Sequence, residues 1–262
     1  MIKQLLPCLL LLMQYLSPAQ DLSSYSREWF RDGERTLPYR LLSPIKEPGK
    51  KYPLIIFLHG AFEKGTDNEI QLNMGGRFFL RDSIRRNYPA YVVFPQCPVD
   101  DSWAYFENRM DLTTGYATDW RFPFRPTPTA VTSSLLKLID ALLVNDTVDK
   151  ARVYIAGLSQ GGMGVLDIIA RKPEIYAAGL SICGAGDPNT SKLFAGKTAL
   201  WLFHGDKDQV VPPNFSQQFH RRLKRAGAVV RYSEYPGIEH NSWSKAFAEP
   251  DLMKWLFTQS KQ

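Results

Sequence analysis

The stretch Arg152-Val153-Tyr154-Ile155-Ala156-Gly157-Leu158-Ser159-Gln160-Gly161-Gly162 decides how the chain is read. Its first half is a short, mostly apolar run, as expected of a strand buried on both faces, and a helical pattern starts directly after it. Between the two lies Gly-x-Ser-x-Gly. In a strand-to-helix turn this spacing exposes a serine hydroxyl on a sharp bend, and glycine suits the flanking positions because a side chain there would clash as the backbone doubles back. The bare pattern arises by chance in roughly one chain of this length in ten, so its weight comes from its placement. The bland alternative is a serine in an ordinary glycine-rich turn.

Similar apolar runs flank this segment: 54–58, 91–94, 178–182, 199–203 and 229–235, the last alternating more, as an edge strand would. Helical periods fall between them, at 78–87, 130–144, 161–171, 214–226 and 244–259. Strand alternating with helix predicts an α/β fold, a doubly wound and mostly parallel sheet with helices on both faces and chemistry at the carboxyl ends of the strands. Upstream, Glu28 to Arg31 and Leu37 to Leu42 flank the turn signal Asp32-Gly33 and predict an antiparallel hairpin, with Pro38 placing its strand at a sheet edge. The segment 98–129 reads as one long irregular stretch, yet it carries Trp103, Tyr105, Phe106, Tyr116, Trp120, Phe122 and Phe124. So many aromatics argue against disorder, and leave two equal readings: a substrate groove or a satellite core.

With 262 residues, 44% hydrophobic and 22% charged, the chain has the composition of one ordinary globular α/β domain, expected over 20–262. Residues 1–19 differ. Lys3 precedes an apolar run, and Ser17-Pro18-Ala19 supplies small residues for cleavage, which predicts a secretory signal peptide ending near Ala19 and a secreted or periplasmic protein. That run is shorter than the roughly 20 residues a spanning helix needs, so no stable membrane insertion is expected after cleavage. The net charge of +6 is densest at His220 to Arg225, in a helical stretch that reads as a solvated face, and no nucleic-acid partner is expected. Downstream of the leader, Cys97 and Cys183 either pair, if their Cα atoms lie within about 7 Å, or stay as two buried thiols.

A serine nucleophile needs a base within hydrogen-bond reach and an acid to orient that base, and in this fold the chain order is serine, acid, histidine. Of the four histidines, His59 precedes Ser159, His204 follows an apolar strand where a structural hydrogen bond fits better, and His220 lies in the basic helix. His240, in a loop after the last strand, remains as the base. Three acids qualify, in the order Asp208, Asp187, Asp206, with turn stabilisation as the role of the others. Oxyanion donors are expected from the amides of Gln160, directly after the nucleophile, and of Ala61, in the loop that follows the strand 54–58. No metal and no organic cofactor is implied.

As a set, His59-Gly60-Ala61, Gly65-Thr66-Asp67-Asn68, Pro95-Gln96-Cys97, Gly157 to Gly162, Gly205 to Pro212 and His240 to Trp243 resemble the α/β-hydrolase superfamily. Within it the resemblance is to carboxylesterases, acyl-protein thioesterases and exported esterase-like proteins, and it runs from about Tyr39 to the end of the chain. It implies the α/β-hydrolase fold, Ser159 as nucleophile, His240 as base and Asp208, now clearly ahead of Asp187, as acid. Phe62 stands where the group usually has glycine, so its side chain is expected to narrow the acyl pocket or shift the loop. Trp103 and Trp243 resemble positions near the substrate. The expected reaction is hydrolysis of a carboxylic ester through an acyl-enzyme, on a small-molecule or saccharide-linked ester. A serine peptidase of the prolyl-oligopeptidase type and a non-catalytic binding protein on the same fold are the alternatives.

Overall fold

The computed structural model describes residues 22–261. The expected leader, 1–19, lies outside the described residues, and so does the cleavage site read near Ala19. Ten strands and eight helices follow in order: β1 (Tyr25–Asp32), β2 (Arg35–Leu42), β3 (Tyr52–Leu58), α1 (Gly76–Leu80), α2 (Asp82–Asn87), β4 (Tyr91–Pro95), β5 (Glu107–Met110), β6 (Ala117–Arg121), α3 (Ala130–Leu142), β7 (Val148–Leu158), α4 (Gln160–Arg171), β8 (Ala178–Ile182), α5 (Ser191–Phe194), β9 (Ala199–Gly205), α6 (Asn214–Arg225), β10 (Val230–Tyr235), α7 (Trp243–Ala246) and α8 (Leu252–Phe257).

Eight strands form one sheet in the order β1-β2-β4-β3-β7-β8-β9-β10. The pairs from β4 through β10 are parallel, while β1–β2 and β2–β4 are antiparallel. The central strands are apolar at successive residues because each face meets helices. Leu54, Ile56, Leu58, Val153 and Ile155 pack with Leu135 of α3, Val165 of α4 and Phe219 of α6, whereas Ile55, Phe57, Tyr154 and Ala156 pack with Phe79 of α1 and Trp255 of α8. Each fully buried aliphatic or aromatic side chain of this kind stabilises the fold by about 1.5–3 kcal/mol. β10 is the edge its alternating burial predicts.

The chain leaves β3 for β4 on one side and continues to β7 on the other, so the strand order reverses between β3 and β7. Ligand crevices of open α/β sheets form at such a switch point, outside the carboxyl ends. The register sets Phe57 against Ala156 and Leu58 against Gly157, which brings the loops after both strands side by side.

Several expectations are corrected. Pro38 is not at an edge: β2 lies between β1 and β4. The proline is tolerated because the β2–β4 ladder ends at Tyr39↔Pro95, beyond which the Pro38 carbonyl accepts Gln96 N at 2.8 Å and no N–H is required of it. The helix read over 78–87 is broken at Arg81, whose ψ of 132° is extended; Phe78 and Phe79 reach the core, while α2 buries nothing. The helix read over 244–259 divides into α7 and α8 around Pro250, which offers no N–H. The segment 98–129 is not wholly irregular, since β5 and β6 pair as a small antiparallel sheet. Cys97 and Cys183 are both free and buried rather than paired. Among the described residues no helix is long and apolar enough to cross a membrane.

Candidate active site

Ser159 sits at the carboxyl end of β7 with φ 53° and ψ −119°, a left-handed conformation rare for a side-chain-bearing residue and a known form of strain at functional turns. The turn holds because its neighbours are glycines. A Cβ on Gly157 would lie 2.5 Å from Gly161 O, and one on Gly162 would lie 2.8 Å from Ile182 O. The Ser159 amide donates to Ile182 O at 2.8 Å, tying the turn to β8.

Two loops bring the partners. His240 follows β10, and its Nε2 lies 2.9 Å from Ser159 Oγ. Its Nδ1 lies 2.8 Å from Oδ2 of Asp208, in the loop after β9. With Nδ1–H donated to the carboxylate, Nε2 is left to accept the serine proton. Asp208 is buried, and its other oxygen accepts Val210 N and Val211 N, each at 2.9 Å. Burial pushes this carboxyl up, but hydrogen bonds from His204 and His240, the His240 charge and the Val211 amide outweigh that and hold it at about 2.

The other two acid candidates have turn roles. Asp206 Oδ1 accepts Gly237 N at 2.6 Å, and the Lys207 amide donates to Ile238 O at 3.0 Å, so the acid's loop and the base's loop are stitched together. Asp187 caps a short 3-10 turn through Asn189 N at 2.9 Å.

Gln160 is the first residue of α4 and Ala61 the first of a 3-10 turn over Ala61–Glu63, so neither amide has an acceptor within its own helix. The turns touch. A Cβ on Gly161 would collide with Leu58 O and lie 2.6 Å from His59 O. Both amides therefore belong to adjoining first turns whose dipoles favour negative charge.

The loop carrying Ala61 is held from below. His59 Nε2 accepts Cys97 N at 2.9 Å, its Nδ1 lies 2.6 Å from Gly60 O, and its carbonyl accepts Trp103 Nε1–H at 3.2 Å. Burial lowers the His59 ring to about 4, against the Gly60 hydrogen bond, so it stays neutral. Gln96 is wholly buried: its Nε2 donates to Asp67 Oδ1 at 3.0 Å, and its Oε1 accepts Asn68 N at 2.7 Å. Glu63 reaches back to the amide of Gly60 as well as to its own, with burial raising its carboxyl. Glu63 was missed in the sequence, although Gly60-x-x-Glu63 has the spacing of a capping box.

The three aromatics expected to meet substrate have different fates. Phe62 is 95% exposed, so it projects into solvent and does not narrow a pocket: the second residue of its turn points away from the sheet. Trp103 is wholly buried and supports the His59 carbonyl instead of facing substrate. Trp243 is half-buried and meets the His240 ring edge-on at 5.8 Å, beside the base.

Of the two readings of the aromatic segment, the satellite core is the one its contacts show. Phe106, Trp120 and Phe122 pack on Met163, Ala185 and Val211, a satellite core beside the helix that follows Ser159. A small cleft under it is lined by Tyr105, Phe122, Phe124, Met163, Ala185 and Asp187. Among the described residues no group of three or more His, Cys, Asp or Glu side chains is placed to hold a metal ion.

Comparison with known proteins bears on the fold and on the group the chain is similar to. Residues 124–253 match the Phospholipase/Carboxylesterase family. The chain is 27% identical over 209 residues to the Carboxylesterase SOBER1 of Arabidopsis thaliana, covering 73% of this chain and 84% of that protein. A crystal structure of a thermostable esterase superposes with a TM-score of 0.81 at 35% identity, covering 92% of this chain and 64% of that one, so the present chain spans less than two thirds of it. An acylaminoacyl peptidase of Pyrococcus horikoshii, 20% identical with a TM-score of 0.60 over 91% of this chain and 42% of its own, shares the fold. With an eight-stranded sheet reversing at β3 and β7 and a strained serine at the switch point, the chain has the α/β-hydrolase fold, and the proteins it is similar to are carboxylesterases and esterases.

Proposed function

We propose that the chain hydrolyses carboxylic esters through an acyl-enzyme formed on Ser159 Oγ. The observation that carries this reading is the continuous hydrogen-bond line from Ser159 Oγ through the His240 ring to the buried Asp208 carboxylate. As Oγ attacks the ester carbonyl, His240 Nε2 takes its proton, and the imidazolium is steadied by Asp208. The amides of Ala61 and Gln160 receive the developing oxyanion, each such donor being worth about 100- to 1000-fold in rate. His240 then returns the proton to the leaving alcohol. Water, activated by the same ring, releases the acid and restores Ser159.

The substrate we propose is a small-molecule or saccharide-linked ester, with aryl and acetyl esters the first to try. The aromatic side chains of 98–129 that pack on Met163, in the first turn after Ser159, are the motive for trying aryl esters. The leader-like residues 1–19 support export, so we place the protein outside the cytoplasm. The test is a panel of p-nitrophenyl acetate, butyrate and octanoate, acetylated xylan, a feruloyl ester and a peptide p-nitroanilide. Ester turnover above anilide turnover is expected. Anilide turnover exceeding that of every ester would turn the reading to a peptidase, and binding without any turnover would turn it to a non-catalytic protein.

A further inference from the structure

Two histidines meet the triad acid, and the scheme above uses one. His204, in β9, is wholly buried, and its Nε2 lies 3.1 Å from Asp208 Oδ2, the oxygen that His240 Nδ1 meets at 2.8 Å. The same Nε2 lies 2.9 Å from Val211 O. Both of these neighbours are acceptors, a peptide carbonyl and a carboxylate. A bare Nε2 would set its lone pair against both, so this nitrogen carries the ring proton. On the other side, His204 Nδ1 lies 2.8 Å from Ser216 Oγ of α6, whose hydroxyl can donate to it in the neutral ring and also has Gly184 O as an acceptor at 3.3 Å.

The tautomer is therefore specified by the two acceptors that face Nε2, the Val211 carbonyl and the Asp208 carboxylate. With it, the Asp208 carboxylate accepts three hydrogen bonds, from Val210 N and Val211 N on Oδ1 and from His240 Nδ1 on Oδ2, and the His204 Nε2–H, whose nearer acceptor is Val211 O, also faces Oδ2 at 3.1 Å.

We propose that His204 is a positioning residue of the triad: its Nε2–H, anchored on the Val211 carbonyl, turns its positive end toward Asp208 Oδ2 and so holds the carboxylate beside His240. It touches no substrate. The proposal rests on the reading of Ser159, His240 and Asp208 as a hydrolytic triad. The other titratable groups facing this pair are His240 itself and the Cys183 thiol after β8, which burial, reinforced by the Asp208 charge, keeps protonated; Ser216 from α6 adds a hydroxyl. A histidine that merely filled the core would not alter the chemistry when replaced by an apolar residue of similar size.

The test uses the full chain with His204→Leu, which removes the donor, and His204→Gln, which keeps an N–H in reach of Asp208. When the donor is lost, the whole charge of Oδ2 faces His240 and favours its protonated form. His204→Leu is then expected to lower kcat on p-nitrophenyl acetate by about 10- to 100-fold with KM within about 3-fold, and to move the acid limb of kcat/KM up by about one pH unit. His204→Gln should recover most of both. A folded His204→Leu with kcat within about 2-fold and an unmoved limb would overturn the proposal. Should His204→Leu fail to fold, Ser216→Ala, which removes the partner of Nδ1 and loosens the ring, is expected to move kcat and the limb in the same directions, and no change would overturn it. A second readout needs no turnover. In ¹⁵N-histidine NMR of the unmodified protein, the signal that His204→Gln removes should show Nε2 protonated and Nδ1 bare; the opposite tautomer would contradict the proposal. Absence of ester turnover with the expected tautomer would refute the hydrolytic reading and leave His204's hydrogen bonds as assigned.

Discussion

Replacing Gly161 by alanine tests how closely the serine turn must approach the loop that carries Ala61. A Cβ at Gly161 would collide with Leu58 O and lie 2.6 Å from both His59 O and the Leu58 carbonyl carbon. Unstrained contacts of this kind need about 3.5 Å, so the two segments must separate by about 1 Å. Every obstructing atom is backbone at the end of β3, and no side chain can rotate to relieve it. Overpacking usually costs 1–3 kcal/mol, and this site belongs at the upper end, about 3 kcal/mol. For a chain of this size that lowers Tm by about 6–12 °C. The chemical effect is larger, because Gln160 N and Ala61 N ride on the two segments that part. Losing one oxyanion donor costs about 100- to 1000-fold, so kcat on p-nitrophenyl acetate should fall about 100-fold with KM nearly unchanged. Gly186→Ala is the control, since its Cβ meets nothing nearer than 3.4 Å and should leave both kcat and Tm close to the parent. A folded Gly161→Ala protein with kcat within about 3-fold of the parent would refute the argument that this close approach sets up the oxyanion site.

Further outcomes follow from the same contacts. Asp208→Asn sets an amide NH2 against donors that converge on the carboxylate and leaves His240 in the wrong tautomer; kcat should fall about 1000- to 10,000-fold at nearly constant KM, and a loss under 10-fold in steady-state kinetics would contradict this role. His59 is held at about 4 in the fold, below its ordinary value of 6.5, so the unfolded chain takes up the proton first. Its contribution is complete above about pH 6.5 and is lost as pH falls toward 4, about 3 kcal/mol in all; urea midpoints at pH 7 and 4.5 should show this decline, and His59→Gln should flatten it. Cys97 and Cys183, being free and buried, should add no crosslink: intact mass and Tm should not change with reductant, and both thiols should resist alkylation until the chain unfolds.

The parts of this fold written in the sequence are those dictated by local pattern. Runs such as Leu54 to Leu58 and Ala178 to Ile182 have to be apolar throughout because both faces are covered, and Gly157 to Gly162 must be glycine-rich because backbone fills the space where side chains would go. What escaped depends on distant packing. Phe62 and Trp103 are both aromatics in loops near the site, yet one is almost wholly exposed and the other wholly buried, a difference decided by which residue of the 3-10 turn faces the sheet and by the His59 carbonyl. β5 is exposed at each of its four residues, Glu-Asn-Arg-Met, so it carries no alternation to read. The strand position of Pro38 follows from where the β4 ladder stops. His204 was legible as a structural hydrogen-bonder, but its second partner, Asp208 Oδ2, becomes visible only when the loop after β9 folds back over the strand.

The most direct measurement is covalent: the purified protein is treated with a fluorophosphonate probe and compared with Ser159→Ala by intact mass and peptide mapping. The account predicts one adduct per chain, on Ser159, absent from Ser159→Ala and much slowed in Asp208→Asn. A folded parent protein that takes up no probe, or an adduct that persists in Ser159→Ala, would contradict the claim that Ser159 is an activated nucleophile.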